Sequence, residues 1–248
     1  MKMIASTKLA KAQRAMVNGK QYGIANSGVY PNRHCLAKQA NAPSEVFQNA
    51  PSDTPSQNKL YIVISSDKGL CGGIHSSVSK ATRRAIADAS SNPDSPIMVI
   101  GDKSKAQLSR ALPQNLALTF NQIGRDIPTF SDAAGVADLI VKSGVKYDSV
   151  NIIYNKFVSA LSYEAGVMEV LTENALKEAR ELCFASLFNS KILRLLIAGF
   201  KAYEMEDDVT KDLAEFSLAN AIYAALVEAH ACEQSARYGP SFRYECSS

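Results

Sequence analysis

The sequence has few of the residues from which metal, disulfide and catalytic sites are usually built. Its 248 residues include no tryptophan, three histidines and five cysteines, and no two cysteines form a C-x-x-C motif. An odd, scattered set of cysteines is typical of reduced intracellular thiols and not of a disulfide framework. We therefore predict neither a metal site nor a cofactor. The residues are His34, His75, His230, Cys35, Cys71, Cys183, Cys232 and Cys246.

A long uncharged apolar run is also missing. The most apolar stretch, Leu182 to Phe200, contains Lys191 and Arg194 near its middle. Each such charge costs roughly 2.5 to 3.5 kcal/mol at the centre of a bilayer. We predict no membrane-spanning helix, and we recognise no targeting presequence at the start of the chain.

Acidic residues are missing from the first 44 positions, where seven basic residues occur. This imbalance predicts an acidic partner, which could be nucleic acid, an anionic lipid surface or acidic protein loops. A solvated helix face is the alternative interpretation. Aromatic residues for base stacking are sparse there, with only Tyr22 and Tyr30. The basic residues are Lys2, Lys8, Lys11, Arg14, Lys20, Arg33 and Lys38.

Both ends of the chain carry long helical patterns. The first predicted helix runs from Met1 to about Tyr22, and the second from about Asp207 to Arg237, with Asp208 also placed to cap it. The second helix would be about 46 Å long, too long to cover only a small sheet. The narrow apolar seams predict that the two helices pack as an antiparallel coiled coil. The seam positions are Met1, Ala5, Leu9, Ala12 and Met16, and Val209, Leu213, Phe216, Asn220, Tyr223, Val227 and His230.

The middle of the chain alternates between strand and helix patterns. Short β-branched runs predict buried parallel strands at 60–65, 96–101, 116–120 and 149–154, and 164–171 could pair at a sheet edge. Helices are expected at 74–89, after the second strand to about Ala111, and from a cap at Ser131 and Asp132 to about Ser143. The predicted fold class is α/β: a Rossmann-like, mainly parallel sheet domain flanked by long N- and C-terminal helices that form the antiparallel coiled coil.

These patterns divide the chain into six segments. They are an N-terminal helix at 1–25, a proline-rich linker or insertion at 26–58, the α/β domain at 59–180, an insertion at 181–202, a C-terminal helix at 203–237 and a tail at 238–248. Pro240 is expected to end any helix in the tail.

A glycine-rich loop follows the first predicted strand, where phosphate sites occur in α/β proteins. Its glycine spacing fits neither G-x-G-x-x-G nor the P-loop motif, so a tight structural turn or a protein contact loop is the favoured interpretation. No pair of acids and no Ser–His or Cys–His pair is evident, and His75 is expected to be a surface or capping residue. The loop residues are Ser66, Asp67, Lys68, Gly69, Leu70, Cys71, Gly72 and Gly73.

Three segments resemble the gamma subunit of mitochondrial F-type ATP synthases. Met1 to Met16 resembles the first shaft helix, Ser65 to Gly73 is similar to the family's distinctive loop, and Glu215 to Arg237 resembles the start of the second shaft helix. The resemblance covers about 1–25, 45–180 and 203–237. It implies a non-catalytic subunit whose paired helices rotate inside a hexamer of alpha and beta subunits and couple proton flow to ATP synthesis.

The resemblance also implies partners and contact residues. The alpha and beta subunits, the delta and epsilon stalk subunits and a membrane ring of c subunits are the expected partners, at the matrix side of the mitochondrial inner membrane. Neither nucleic acid nor a cofactor is expected. The residues expected to meet acidic loops of the beta subunits are Met1, Lys2, Met3, Glu233, Gln234 and Arg237.

The sequence departs from the family pattern in four places. It begins inside the first shaft helix, it is interrupted near 27–42 and 182–201, and it diverges after Arg237. We interpret these departures as truncation at both ends and two translated introns or gene-model errors, with an authentic shortened isoform as the alternative. We expect the α/β domain to fold, and we expect this chain to couple proton flow to ATP synthesis only weakly. A nucleotide-binding α/β enzyme and a nucleic-acid-binding protein remain the competing functional hypotheses.

Overall fold

The computed structural model describes residues 2–28, 58–87, 94–123, 126–159, 162–172 and 210–243. The elements in these ranges are α1 (Lys2–Gly28), β1 (Lys59–Ile64), α2 (Ile74–Ala87), β2 (Ile97–Ile100), α3 (Asp102–Ala111), β3 (Leu116–Phe120), α4 (Phe130–Lys142), β4 (Ser149–Phe157), β5 (Tyr163–Leu171) and α5 (Thr210–Arg243). Residues 29–42 of the first predicted interruption, all of the second one, and the predicted caps Asp207 and Asp208 lie outside the described residues.

The five strands form one sheet in the order β3-β2-β1-β4-β5. β1 pairs in parallel with both β2 and β4, and β2 pairs in parallel with β3. β5 lies at the sheet edge and runs antiparallel to β4. The prediction of a mainly parallel sheet with 164–171 at its edge is therefore confirmed.

Both faces of the central strand β1 are covered by helices. Ile62 belongs to a buried cluster that includes Ile140 of α4 and Ile222 of α5. Its neighbour Val63 belongs to a second cluster, on the opposite face, with residues of α2 and α3 such as Leu108. Because both faces are buried, the strand is a continuous apolar run and not an alternating pattern.

The start of α4 is fixed by a capping box. The side chain of Thr129 accepts a hydrogen bond from the Asp132 backbone N–H at 3.3 Å, and the Asp132 carboxylate accepts one from the Thr129 N–H at 2.9 Å. The prediction that Ser131 and Asp132 cap this helix is confirmed only for Asp132, which takes part as the third helical residue of the capping box. The N-cap itself is Thr129, and Ser131 makes no part of it.

α1 and α5 pack against each other in opposite directions. Met16 lies in a buried cluster with Val227 and Ala231. A methyl group at Gly19 would lie 3.4 Å from Val227, and one at Gly23 would lie 3.5 Å from Ala224. Since the α1 numbers rise while the α5 numbers fall, the helices are antiparallel.

Some of the seam positions predicted for the two long helices are buried, and others are exposed. Leu9, Ala12 and Met16 are buried in α1, and Asn220, Val227 and His230 are buried in α5. Leu213 and Phe216, however, are 39% and 54% exposed. The first turns of α5 therefore extend beyond the surface that α1 and the sheet cover.

Both long helices extend past their predicted ends. α1 continues to Gly28 instead of stopping near Tyr22, and α5 continues through Pro240 to Arg243. The prediction that Pro240 ends the helix was wrong, because a proline removes one backbone hydrogen bond and can bend a helix without terminating it. The helices are about 40 and 51 Å long at 1.5 Å per residue. Within the described residues, no helix combines the length and apolar character needed to cross a bilayer.

Candidate functional site

The loop after β1 is bound to the carboxyl edge of the sheet through Asp67. One carboxylate oxygen accepts a hydrogen bond from the backbone N–H of Asp102 at 2.8 Å, and the other accepts one from Gln122 at 2.7 Å. Asp102 begins α3 directly after β2, and Gln122 follows β3. A single side chain therefore ties together the ends of three parallel strands.

Gly101 allows the loop to approach this edge closely. Its φ is 110°, and a methyl group there would lie 2.8 Å from the Ser65 carbonyl carbon. Such a contact is too short for any side chain, so the glycine is required both by conformation and by space.

The position of Asp67 bears on the nucleotide hypothesis. Ligands of parallel α/β sheets bind outside the carboxyl ends of the strands, where free backbone N–H groups hold phosphate. Here a carboxylate of the chain itself already occupies two such N–H groups, and its negative charge would repel a phosphate. This arrangement disfavours phosphate binding at the loop.

The loop tip presents an apolar side chain to solvent in a strained conformation. Leu70 has a φ of 62° and is 96% exposed. A non-glycine residue in this region costs on the order of 1 to 3 kcal/mol. Cys71, the next residue, is buried. The loop thus holds Leu70 outward on a firmly anchored base.

Arg237 of α5 reaches the same loop. Its guanidinium donates to the Gly69 carbonyl at 3.4 Å and contacts the Cys71 sulfur at 3.7 Å, and it pairs with Glu233 one helical turn away at 3.2 Å. The structure therefore brings together two of the predicted contact residues, Glu233 and Arg237, with the family loop.

The other predicted contact residues are placed differently. Gln234 is buried, as is Glu233. Lys2 and Met3 lie in the first turn of α1, where the structure describes the backbone alone, and Met1 lies outside the described residues.

Two buried histidines flank the junction of the loop and α5. His75 lies within hydrogen-bond distance of Ser65, with 2.8 Å between Nδ1 and Oγ. Burial lowers the pKa of His75 and of His230, while Glu233 opposes the shift in both. The prediction that His75 is a surface or capping residue was wrong, since it is 8% exposed. The sequence did not indicate that the loop folds over the start of α2.

The Ser65–His75 pair was not anticipated from the sequence, but it is not a catalytic arrangement. A nucleophilic serine requires a base that a third group orients. No carboxylate lies within hydrogen-bond distance of the buried Nε2 atom of His75 among the described residues. The pair therefore fastens the loop to α2 and lacks the orienting acid.

Cys71 is held in its thiol form by the same environment. Burial is the main cause that raises its pKa, and the nearby Glu233 adds to the shift, while Arg237 and Lys68 oppose it. A thiol with a raised pKa is a poor nucleophile and a poor metal ligand.

A cleft of about 280 Å³ lies between the sheet edge and α5. Its lining includes Ser66, Asp67, His230 and Glu233. Within the described part of the chain, no three His, Cys, Asp or Glu side chains are grouped to hold a metal ion. Asp67 and Asp102 meet at this edge, but Asp102 contributes its backbone N–H to the contact.

Comparisons with known proteins identify the family to which this chain is similar. The family model described as "ATP synthase" matches residues 1–239. The mitochondrial ATP synthase subunit gamma of Yarrowia lipolytica is 40% identical over 240 residues, which cover 96% of this chain and 70% of that protein. The corresponding protein of Saccharomyces cerevisiae is 36% identical over 242 residues, which cover 96% of this chain and 68% of that protein.

A solved structure is similar to this chain over nearly its whole length. It is a chain from the central stalk and c-ring of the Tetrahymena thermophila mitochondrial ATP synthase, with 25% identity, a TM-score of 0.67 and coverage of 99% of this chain and 97% of that one. The chain described here therefore belongs to the mitochondrial branch of the ATP synthase gamma family, whose members are non-catalytic subunits of the complex.

Proposed function

We propose that this chain acts as the rotor of the F1 sector, turning inside a hexamer of alpha and beta subunits and coupling proton flow to ATP synthesis. The observation that carries this proposal is the antiparallel pair α1 and α5, which packs on an α/β domain whose ligand edge is occupied by its own Asp67.

The packing of α1 on α5 supports a shaft. Gly19 and Gly23 face Val227 and Ala224 at 3.4 and 3.5 Å from the position of a methyl group, so the two backbones approach closely along this stretch. A narrow seam of small residues suits the regular packing of a coiled coil. We propose that the pair forms an antiparallel coiled coil.

The outer face of α1 supports contact with acidic partners. Lys8, Lys11, Arg14 and Lys20 are all exposed, and α1 contains no acidic residue. Positive charge with no acid on the same helix favours an acidic surface. Membership of the gamma family makes acidic loops of beta subunits the favoured partner over nucleic acid.

The predicted contact residues are part of the proposal. We propose that Met1, Lys2, Met3 and Arg237 meet the beta subunits directly. Glu233 is buried and paired with Arg237. This supports a role for Glu233, and for its buried neighbour Gln234, in holding α5 and the loop in place behind that contact.

We further propose the remaining partners and the location. The delta and epsilon subunits and the c ring would bind the α/β domain end, and the chain would lie at the matrix side of the mitochondrial inner membrane. The six segments predicted from the sequence, including both insertions, remain predictions. The expected weakness of coupling is tested by the same measurement as the function.

The experiment is co-expression of the chain with alpha and beta subunits, purification of the complex, and reconstitution with the membrane sector in vesicles. We expect a stable complex in which ATP hydrolysis drives proton uptake, with less uptake per ATP hydrolysed than a gamma subunit without the two interruptions gives. Failure to co-purify with the hexamer would contradict the proposal.

A further inference from the structure

Strand β4 extends beyond the strand that pairs with it. The parallel pairing of β1 with β4 ends at Val63 and Ile153, whereas β4 continues to Phe157. On the other side β5 pairs with β4 up to Phe157. The last residues of β4 therefore have a strand neighbour on one edge only, and backbone groups on the other edge need different partners.

α5 supplies those partners with two side chains. A carboxylate oxygen of Glu228 accepts a hydrogen bond from the backbone N–H of Phe157 at 3.0 Å. The thiol of Cys232 donates to the backbone carbonyl of Asn155 at 3.2 Å. The helix thus takes the place of the strand that β1 no longer provides.

The distance between the two contacts is nearly the same along α5 as along β4. Four residues of a helix rise about 6 Å. Two residues of a strand rise about 6.6 Å. Glu228 and Cys232 are therefore spaced correctly to reach Phe157 and Asn155 together, and a shift of α5 by one residue would break both contacts.

The surroundings make the junction rigid. Cys232 is fully buried and Glu228 is 9% exposed. Glu228 also shares a hydrogen bond with the Tyr154 side chain, and Lys20 of α1 and Lys156 attract its negative charge. Burial nevertheless raises the pKa of Glu228 overall.

The contacts continue to the opposite side of the sheet. The side-chain amide of Asn155 donates to the carbonyl of Ile74, the first residue of α2, at 3.0 Å. The same residue accepts from Cys232 through its backbone. α5 and α2 are thereby connected through a single residue of β4.

We propose that Glu228 and Cys232 are positioning residues that fix the register of α5 against β4, so that the shaft helix and the sheet turn as one body. This inference rests on the proposed rotor function. Two separated contacts resist both sliding and twisting of the helix, which a single contact cannot do.

The junction can be tested in the full chain without its partners. Hydrogen exchange of the Phe157 amide is measured for E228A, E228Q and the control D212N, which changes an exposed acid of the same helix. We expect E228A to raise the exchange rate about tenfold, the effect of losing a hydrogen bond to a charged group. E228Q keeps an acceptor oxygen and should change the rate much less, and D212N should leave it unchanged.

An unchanged exchange rate at Phe157 in folded E228A would overturn the inference. If E228A does not fold, C232A and C232S replace it. C232S keeps a donor for the Asn155 carbonyl and C232A does not, so faster exchange at Phe157 is expected in C232A alone. Equal rates in these two variants would also overturn the inference.

A second measurement separates this inference from the rotor proposal. In the reconstituted complex, we expect E228A to lower proton uptake per ATP hydrolysed several-fold, with E228Q close to the unchanged chain. Equal uptake in E228A would overturn the register role while leaving the rotor proposal intact. If the unchanged chain itself neither assembles nor pumps protons, the rotor proposal fails. The exchange experiment still tests whether Glu228 and Cys232 fix the register of α5 against β4.

Discussion

The two long helices differ in what holds them. From Ser217 to Ser235, α5 is buried at most positions against the sheet, α4 and α1. α1 buries a single stripe, which includes Leu9, Ala12 and Met16, while its other faces carry exposed basic residues. The comparison teaches that α5 is part of the domain core, whereas α1 depends on α5.

The largest expected effect comes from the core face of α5. Ile222 is fully buried in the cluster that includes Ile62 and Ile140. We expect I222A to lower the free energy of unfolding by about 2 to 4 kcal/mol, because it removes buried methyl groups and leaves a cavity. Urea unfolding of the full chain measures this. The control V17A, at a position 60% exposed on α1, should stay within about 0.5 kcal/mol.

A smaller and local effect is expected at the seam of α1. M16A removes the contact with Val227 and Ala231. We expect faster amide exchange throughout α1, with residues 217–235 of α5 still protected, because α5 keeps its contacts with the sheet. Hydrogen exchange followed by mass spectrometry measures both. If α5 loses protection together with α1, the two helices form one cooperative unit and the contrast between them is wrong.

The two buried histidines at the junction of α5 with the loop predict that the stability of the fold depends on pH. Burial lowers the pKa of His75 and His230 below the ordinary value of 6.5. The unfolded chain therefore binds more protons than the folded chain between the lowered pKa values and 6.5, and stability falls as the pH falls through this window. The raised pKa of Glu228 acts in the opposite direction, since its folded form binds the extra proton above its ordinary value of 4.5.

H75Q and H230Q separate the contributions to this pH dependence. We expect each variant to lose part of the decrease in Tm between pH 7.5 and 5.5. Identical slopes in both variants and the unchanged chain would show that these histidines do not control the stability of the junction.

The smallest expected effect is at the loop tip. Leu70 is exposed at a φ of 62°, so its side chain adds strain without burial. We expect L70G to increase the free energy of unfolding by about 0.5 to 1 kcal/mol, because glycine adopts this conformation without strain. The matched control L70A keeps a Cβ atom and should be close to neutral. A destabilised L70G would contradict the account of the loop.

Much of the fold could be predicted because the strands are continuous apolar runs. β3 has the predicted bounds, and β1, β2 and β4 differ by one to three residues at their ends. The caps were harder to locate, because Thr129, Ser131 and Asp132 can all cap a helix by residue type alone. Only the reciprocal hydrogen bonds between Thr129 and Asp132 distinguish them.

The candidate site could be predicted less completely. The sequence indicated the loop and the region around Arg237, but not the burial of His75, which depends on a fold of the loop that no local pattern encodes. Glu228 and Cys232 were also missed as partners of β4. The available signal was a glutamate beside Val227 on a face that is otherwise apolar, since a buried carboxylate needs a partner.

The most direct test of the rotor account is single-molecule observation. The chain carries a bead through V167C on the exposed edge strand β5, with Cys35, Cys183 and Cys246 replaced by serine, and is assembled with an immobilised hexamer of alpha and beta subunits. The account predicts unidirectional rotation of the bead when ATP is added. A stable assembly that hydrolyses ATP while the bead stays still would contradict it.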